Sequence, residues 1–367
     1  MWGDALMNKK ITWYSDIRVL CTVLVVIGHC TNLTLINRDG IANVVYLNSI
    51  QKYTEYIRTI IYSFHMPLFV TLSGAVFFYA YNENLALHTF IKKKTCRLLV
   101  PFVGTAFFVL IPQRYLTGYY QNQPIRVAIL QDILLAYDVN YLWYLLMLFE
   151  VSVIFFFMTR IILNAPQSIR YIFFGLFLVS FVSFSLPLLP FQINKVLEFS
   201  FWFLVGIILE KKRKEFEQIN CKDRCAVFFL LIWGIAFFLF YYLNSMLAIS
   251  TQHYLLLIKV AKMTVRYVME GAAVLFVCFL LANHPMKKFR FYKAIEKYSM
   301  QIYLFHCPII HIYKYVVAFF IAPNNMSNIL YFSLLSIGSS LAILAPILLS
   351  SIWENIKHIY FGGKLKV

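Results

Sequence analysis

Long apolar runs separated by short polar connectors divide this chain. Ten runs have the length and composition of membrane-crossing helices: Ile17–Ile36, Ile57–Ala80, Leu98–Leu116, Tyr141–Leu163, Ile169–Leu188, Val196–Leu209, Ala226–Leu247, Thr264–Ala282, Ser299–Ile321 and Ile329–Trp353. About 20 apolar residues at 1.5 Å each cross a hydrocarbon core about 30 Å thick, and only the Val196–Leu209 run falls well short. The segment Val127–Tyr137 is too short to span and reads as interfacial. The pattern predicts an all-α polytopic membrane protein of about ten helices, with one transmembrane domain over residues 1–367.

The connectors orient the helices. Lys9 and Lys10 precede the first run, and Lys92, Lys93, Lys94 and Arg97 precede the third. Arg160 and Arg170 flank the connector before the fifth, and Lys211, Lys212, Arg213, Lys214, Lys222 and Arg224 precede the seventh. Lys287, Lys288, Arg290, Lys293 and Lys297 precede the ninth, and Lys357, Lys364 and Lys366 follow the tenth. The intervening connectors are poorer in cations, although Lys259, Lys262 and Arg266 blunt the contrast. Lys and Arg collect on the cytoplasmic side, so both termini are expected there. The polar connector Asn37–Tyr56 then lies outside, as a cover, a binding loop or a plain link.

Composition agrees. The chain is 61% hydrophobic and 13% charged, with a mean hydropathy of +0.72. Its net charge of +17 would suggest nucleic acid in a soluble protein. Basic cytoplasmic connectors account for it here, and no nucleic-acid partner is expected. No small-residue cleavage site follows the first run, so it reads as a retained helix. Cys21, Cys30, Cys278 and Cys307 lie in apolar runs as small hydrophobes. Cys221 and Cys225 lack the second ligand pair of a zinc site, and no metal is expected.

The polar groups inside the runs carry the candidate chemistry. Arg18 and His29 stand eleven residues apart in the first run. Eleven steps of about 100° make three turns plus about 20°, so both project from one face, roughly 16 Å apart along the axis. Arg18 taken alone reads as an interfacial anchor, and His29 alone as a neutral imidazole bonded to a neighbouring helix. Together, with His29 near mid-membrane, they mark a functional site. His65 and Pro67 open the apolar part of the second run, where Pro67 is expected to kink the helix. Lys94 and Arg97, three apart at the cytoplasmic start of the third run, suit phosphates or anionic lipid. Glu150 lies inside the fourth run and needs a partner or a proton. Trp143 and Tyr144 read as interface aromatics. Tyr303 and His306 share a face of the ninth run, and Glu198 and Glu270 read as structural. There is no Gly-rich nucleotide loop and no metal-ligand array.

These pieces resemble the bacterial integral-membrane acyltransferase 3 family. SDIRVLCTVLVVIGHC is similar to its first-helix motif, an Arg and a His with ten residues between, and FHMPLFVTLSG to its second-helix signature. KTCRLLVPF resembles its basic pair followed by Pro, with Lys94 where the family often has Arg. LWYLLMLF, FWFLVGIIL and SMQIYLFH are similar to later patterns, so the resemblance covers most of the chain in order.

The resemblance implies an acyl-CoA donor in the cytoplasm, usually acetyl-CoA, and a glycan or lipid-linked saccharide hydroxyl on the far side of a bacterial plasma membrane. It assigns Arg18 and His29 to the essential pair and Lys94 and Arg97 to the phosphate-binding pair. The expected reading is a standalone O-acetyltransferase, since no hydrolase-like domain follows before Val367. Arg18, Lys94, Arg97 and Tyr303 would bind the donor, and His29 would serve as general base or carry the acetyl group itself. Glu150 would orient His29, and Tyr303 or Trp143 would polarise the thioester. The alternative is an exporter of polysaccharide or lipid-linked sugar, with no acyl transfer.

Overall fold

The structure is a computed structural model, and it describes residues 11–31, 34–36, 42–44, 50–116, 120, 124–184, 186–249, 252–320 and 328–361. Half of the external connector expected over Asn37–Tyr56 lies outside the described residues, and its last part, from Ile50, is helical. The helices are α1 (Thr12–Cys30), α2 (Ile50–Tyr62), α3 (His65–Tyr79), α4 (Leu87–Leu116), α5 (125–134), α6 (Trp143–Asn164), α7 (Ser168–Ser183), α8 (Ile193–Lys211), α9 (Arg213–Glu217), α10 (Lys222–Ile249), α11 (Gln252–Asn283), α12 (Arg290–Phe320) and α13 (Asn328–Phe361). A short antiparallel hairpin, β1 (Thr34–Ile36) with β2 (Ala42–Val44), follows α1.

Among the described residues, 8 helical stretches are long and apolar enough to cross a membrane. The protein is an all-α polytopic membrane protein. The two expected runs outside that group are helical as well. The fifth run is the 16-residue α7, and the ninth is the 31-residue α12, which opens with charged residues.

Two runs depart from the sequence expectation. The second run is not continuous: it breaks at Ser63 and Phe64, and His65 heads a new helix. Pro67 therefore sits in the first turn of α3, where its missing N–H costs no intrahelical bond, and no kink is needed. The third run begins earlier than its apolar stretch, so Lys92, Lys93 and Lys94 are helical rather than part of a connector. Lys and Arg are good helix formers, which hydropathy does not register. Within α4, Thr95–Leu99 and Ala106–Leu110 form π turns. Arg97 thus lies inside a widened turn that Lys94 immediately precedes, and the two are not the plain i,i+3 neighbours expected.

The chain divides into two compact units, each drawn from three separated stretches. The first comprises the chain up to Ile17, Ser63–Val103 and Leu130–Met286. The second comprises Arg18–Tyr62, Gly104–Ile129 and from Lys287 onward.

The first unit is built on a close crossing of α3 and α8. A Cβ on Gly74 would lie 2.0 Å from the Phe203 carbonyl oxygen, and one on Gly206 would lie 1.9 Å from that of Thr71. Only glycine allows two backbones this near. Phe203 fills the space beside the crossing, with ring centroids 5.3 Å from Phe77 and 4.8 Å from Phe155. α10 and α11 pack along one another. A buried ionic network joins α8 to α11. Arg266 donates to Glu270 at 2.7 Å and to Glu198 at 2.7 Å, and Lys195 donates to Glu198 at 2.8 Å. Two cations and two carboxylates balance, as burial in a membrane requires. Near the basic connector, Trp13 and Tyr14 of α1 donate to Glu217 and Glu210.

The second unit packs α12 against α13. Gly338 lets the Tyr313 ring approach, since a Cβ there would lie 2.9 Å from Cε1. Tyr298 leaves helical geometry at φ −104, ψ 18, and separates the charged start of α12 from its apolar remainder. Before this bend, Lys297 donates to Glu354 of α13 at 2.5 Å. The Glu354 carboxylate, with the Tyr298 hydroxyl, holds the Lys297 ammonium above the ordinary lysine pKa. After the bend, α12 carries Tyr303, His306, Cys307, His311 and Lys314 inward.

Candidate active site

His29 occupies the last turn of α1, within the second unit. Gly28 beside it faces Ile61 and Tyr62 of α2 at ordinary contact distance. Tyr62 stands edge-on to His29, with centroids 6.4 Å apart. The principal neighbour is His306, whose imidazole centroid is 5.1 Å from that of His29. Tyr303 is 5.9 Å from His306 on the same helix, so the face-sharing expected for that pair is observed.

The helix backbone orients His306. Its Nδ1 lies 2.7 Å from the Tyr303 carbonyl and 3.1 Å from that of Ile302, and so donates a proton there. With Nδ1 as donor, the neutral ring presents Nε2 as an acceptor. That nitrogen is 3.4 Å from Cys307 Sγ. Both residues are buried, His306 at 0% and Cys307 at 3% exposure. Donor atoms of His29, His306 and Cys307 all lie within 4.8 Å of one another. Two imidazoles and a thiol so close have the composition of a transition-metal ligand set. They equally have that of an acid–base pair beside a nucleophile.

The remaining sequence candidates fall elsewhere. Arg18 is on α1, within the second unit, and its carbonyl accepts from Thr22 Oγ1 at 2.8 Å. Lys94 and Arg97 are in the first unit. Lys94 Nζ donates to Ser152 Oγ of α6 at 3.3 Å and stands over the rings of Phe77 and Phe90 at 5.4 and 5.5 Å. Glu150, also in the first unit, is half-buried on α6, and among the described residues no hydrogen bond or ion pair reaches it. Trp143 stacks on Phe199 at 5.3 Å beneath Lys195. Glu198 and Glu270 belong to the Arg266 network, as their structural reading anticipates.

Sequence reasoning did not assign a role to His306 or Cys307. Their signal was present in the run YLFHCP, an imidazole and a thiol side by side in a membrane helix just before Pro308. Each residue has an ordinary explanation there, and only tertiary packing brings His29 to them.

A many-helix membrane fold thus holds the half-buried His29 beside the buried His306 and Cys307, a set of groups suited to acid–base or acyl-transfer chemistry. The acyltransferase domain of the acyltransferase 3 family matches residues 12–350, and the chain belongs to that family. It is a multi-pass membrane acyltransferase. No curated protein and no solved structure matches it.

Proposed function

We propose that the protein is an O-acetyltransferase that moves an acyl group, acetyl by preference, from cytoplasmic acyl-CoA to a hydroxyl of an extracytoplasmic or lipid-linked glycan, in a bacterial plasma membrane. The observation that carries this reading is the pairing of His29 with His306 at 5.1 Å in a chain of the acyltransferase 3 family. His29 takes the proton of the acceptor hydroxyl as its oxygen attacks the acyl carbonyl. The coenzyme A sulfur leaves and is protonated, so the products are an ester and free coenzyme A. His306, fixed through Nδ1, supplies the second imidazole that an exchange of protons between acceptor and leaving group requires. In this reading Tyr303 donates to the carbonyl oxygen as charge develops there, and its ring, 5.9 Å from that of His306, supports the assignment.

The Lys94–Arg97 pair supplies cations for the coenzyme A phosphates, as the family resemblance implies. The exporter reading has no comparable support, since the family is one of transferases.

The test is coenzyme A release by the purified protein in lipid, with acyl-CoA donors and a pool of candidate glycans. Wild type is expected to release coenzyme A and yield acylated glycan. A folded His29→Ala variant is expected to lose this by about 10²–10⁴-fold, the usual worth of a general base. No release from any donor would favour transport instead.

A further inference from the structure

The geometry points to Cys307 as a covalent way-station for the acyl group: an acyl-cysteine thioester forms from acyl-CoA and is then passed to the acceptor hydroxyl. This rests on the transferase reading above and specifies its route.

Three observations support it. A nucleophile needs a base within hydrogen-bond reach and a third group to orient that base. Cys307 Sγ is 3.4 Å from His306 Nε2, and the Tyr303 carbonyl, 2.7 Å from Nδ1, is the orienting group. The second half of the transfer needs another base near the same sulfur, and the donor atoms of His29, His306 and Cys307 lie within 4.8 Å of one another. The third observation decides between a nucleophile and a metal site. Lys314 follows Cys307 by seven residues, about 700° of helix, within about 20° of two turns and on the same face. It is buried at 8% exposure, so the face that carries the thiol also carries a cation. A lysine ammonium in that position complements a thiolate and opposes the entry of a divalent cation.

The chemistry balances in two steps. First, the Cys307 thiol proton passes to His306 Nε2 while Sγ attacks the thioester carbonyl. The new C–S bond forms, the bond to coenzyme A breaks, and His306 returns the proton to the leaving sulfur. One thioester replaces another, with no change of oxidation state. Second, His29 takes the acceptor hydroxyl proton as the oxygen attacks the acyl-cysteine. The C–Sγ bond breaks, and the proton returns to the Cys307 sulfur. Nothing beyond acyl-CoA and the hydroxyl is consumed. Burial of Cys307 at 3% exposure keeps water from the intermediate between the steps.

The experiment uses the full chain in lipid nanodiscs with radiolabelled acetyl-, propionyl- and succinyl-CoA and no acceptor. The expected result is one burst of coenzyme A per chain and an acyl group on the peptide containing Cys307, removed by neutral hydroxylamine. Adding acceptor should chase the label into glycan. His29→Ala should still acquire the label and fail to discharge it. Cys307→Ala should lose the label, with transfer reduced on the order of 10³-fold or more. Cys30→Ala should label as wild type does. Wild type that transfers acyl groups without a burst or label overturns the covalent route and leaves the transferase standing, as does label on His29 itself. Labelled wild type with a fully active Cys307→Ala also overturns it, because the adduct is then a side product. Neither label nor transfer with any donor overturns both readings.

Discussion

Arg266 illustrates how a single residue holds a membrane unit together. It is the only side chain joined to both Glu198 and Glu270 among the described ion pairs, and those carboxylates are 8% and 4% exposed. Removing one partner of a buried pair strands the other in low dielectric, at a cost of about 3–5 kcal/mol. Arg266→Met should therefore lower the thermal midpoint of the purified protein sharply, whereas Arg266→Met combined with Glu198→Gln and Glu270→Gln should recover much of the loss. Equal midpoints for the single and triple variants would show that the network is not coupled. At this scale the sequence was legible where an ionisable group interrupts an apolar run, which is why Arg18, His29 and Glu150 stood out. It was opaque where a residue fits its surroundings. Cys307 passes as a small hydrophobe, and His306 gains meaning only from His29, which lies on a helix more than 270 residues earlier by sequence number.

Among elements, the α3–α8 crossing fixes the first unit. Gly74 and Gly206 each face a backbone carbonyl at a distance no Cβ can occupy, and backbone cannot yield as a side-chain tip can. Gly206→Ala should destabilise by about 1–3 kcal/mol, the range for overpacking a filled core. Gly175→Ala on α7, where an added Cβ meets nothing within 4 Å, is the matched control and should be neutral or slightly stabilising. Differential scanning fluorimetry of both variants in one detergent reads the difference, and equal shifts would count against the close crossing. Hydropathy located both helices of this crossing as apolar runs. It missed the break at Ser63 and Phe64 and the π turns of α4, since hydropathy averages over a window and is blind to helical pitch.

For the whole molecule, the alternation of basic and neutral connectors makes a statement about sidedness. Cys221 is exposed beside Lys222 and Arg224, in the most basic connector, while Cys21, Cys30, Cys278 and Cys307 are buried. A membrane-impermeant maleimide should modify Cys221 in inside-out vesicles and not in intact cells stripped of their outer layers. Modification from the outside would reverse the orientation inferred from charge. The all-α class was readable from the apolar runs, whereas 8 helical stretches among the described residues, and not the expected ten, are long and apolar enough to cross a membrane. The division into two units, each gathered from three stretches, was not readable, because it depends on contacts between residues far apart in sequence.

The two π turns of α4 bear on how this chain is related to others. A π turn amounts to one residue inserted into an α-helix without unravelling it. Each wide turn takes up its extra residue locally, so the side chains beyond it keep the facing they would have without the insertion. A relative lacking one of them would show a single-residue gap within an otherwise ungapped helix, while its distal side chains kept their facing. Such gaps between Lys94 and Arg114 would then record the gain or loss of a turn type and not an error of alignment.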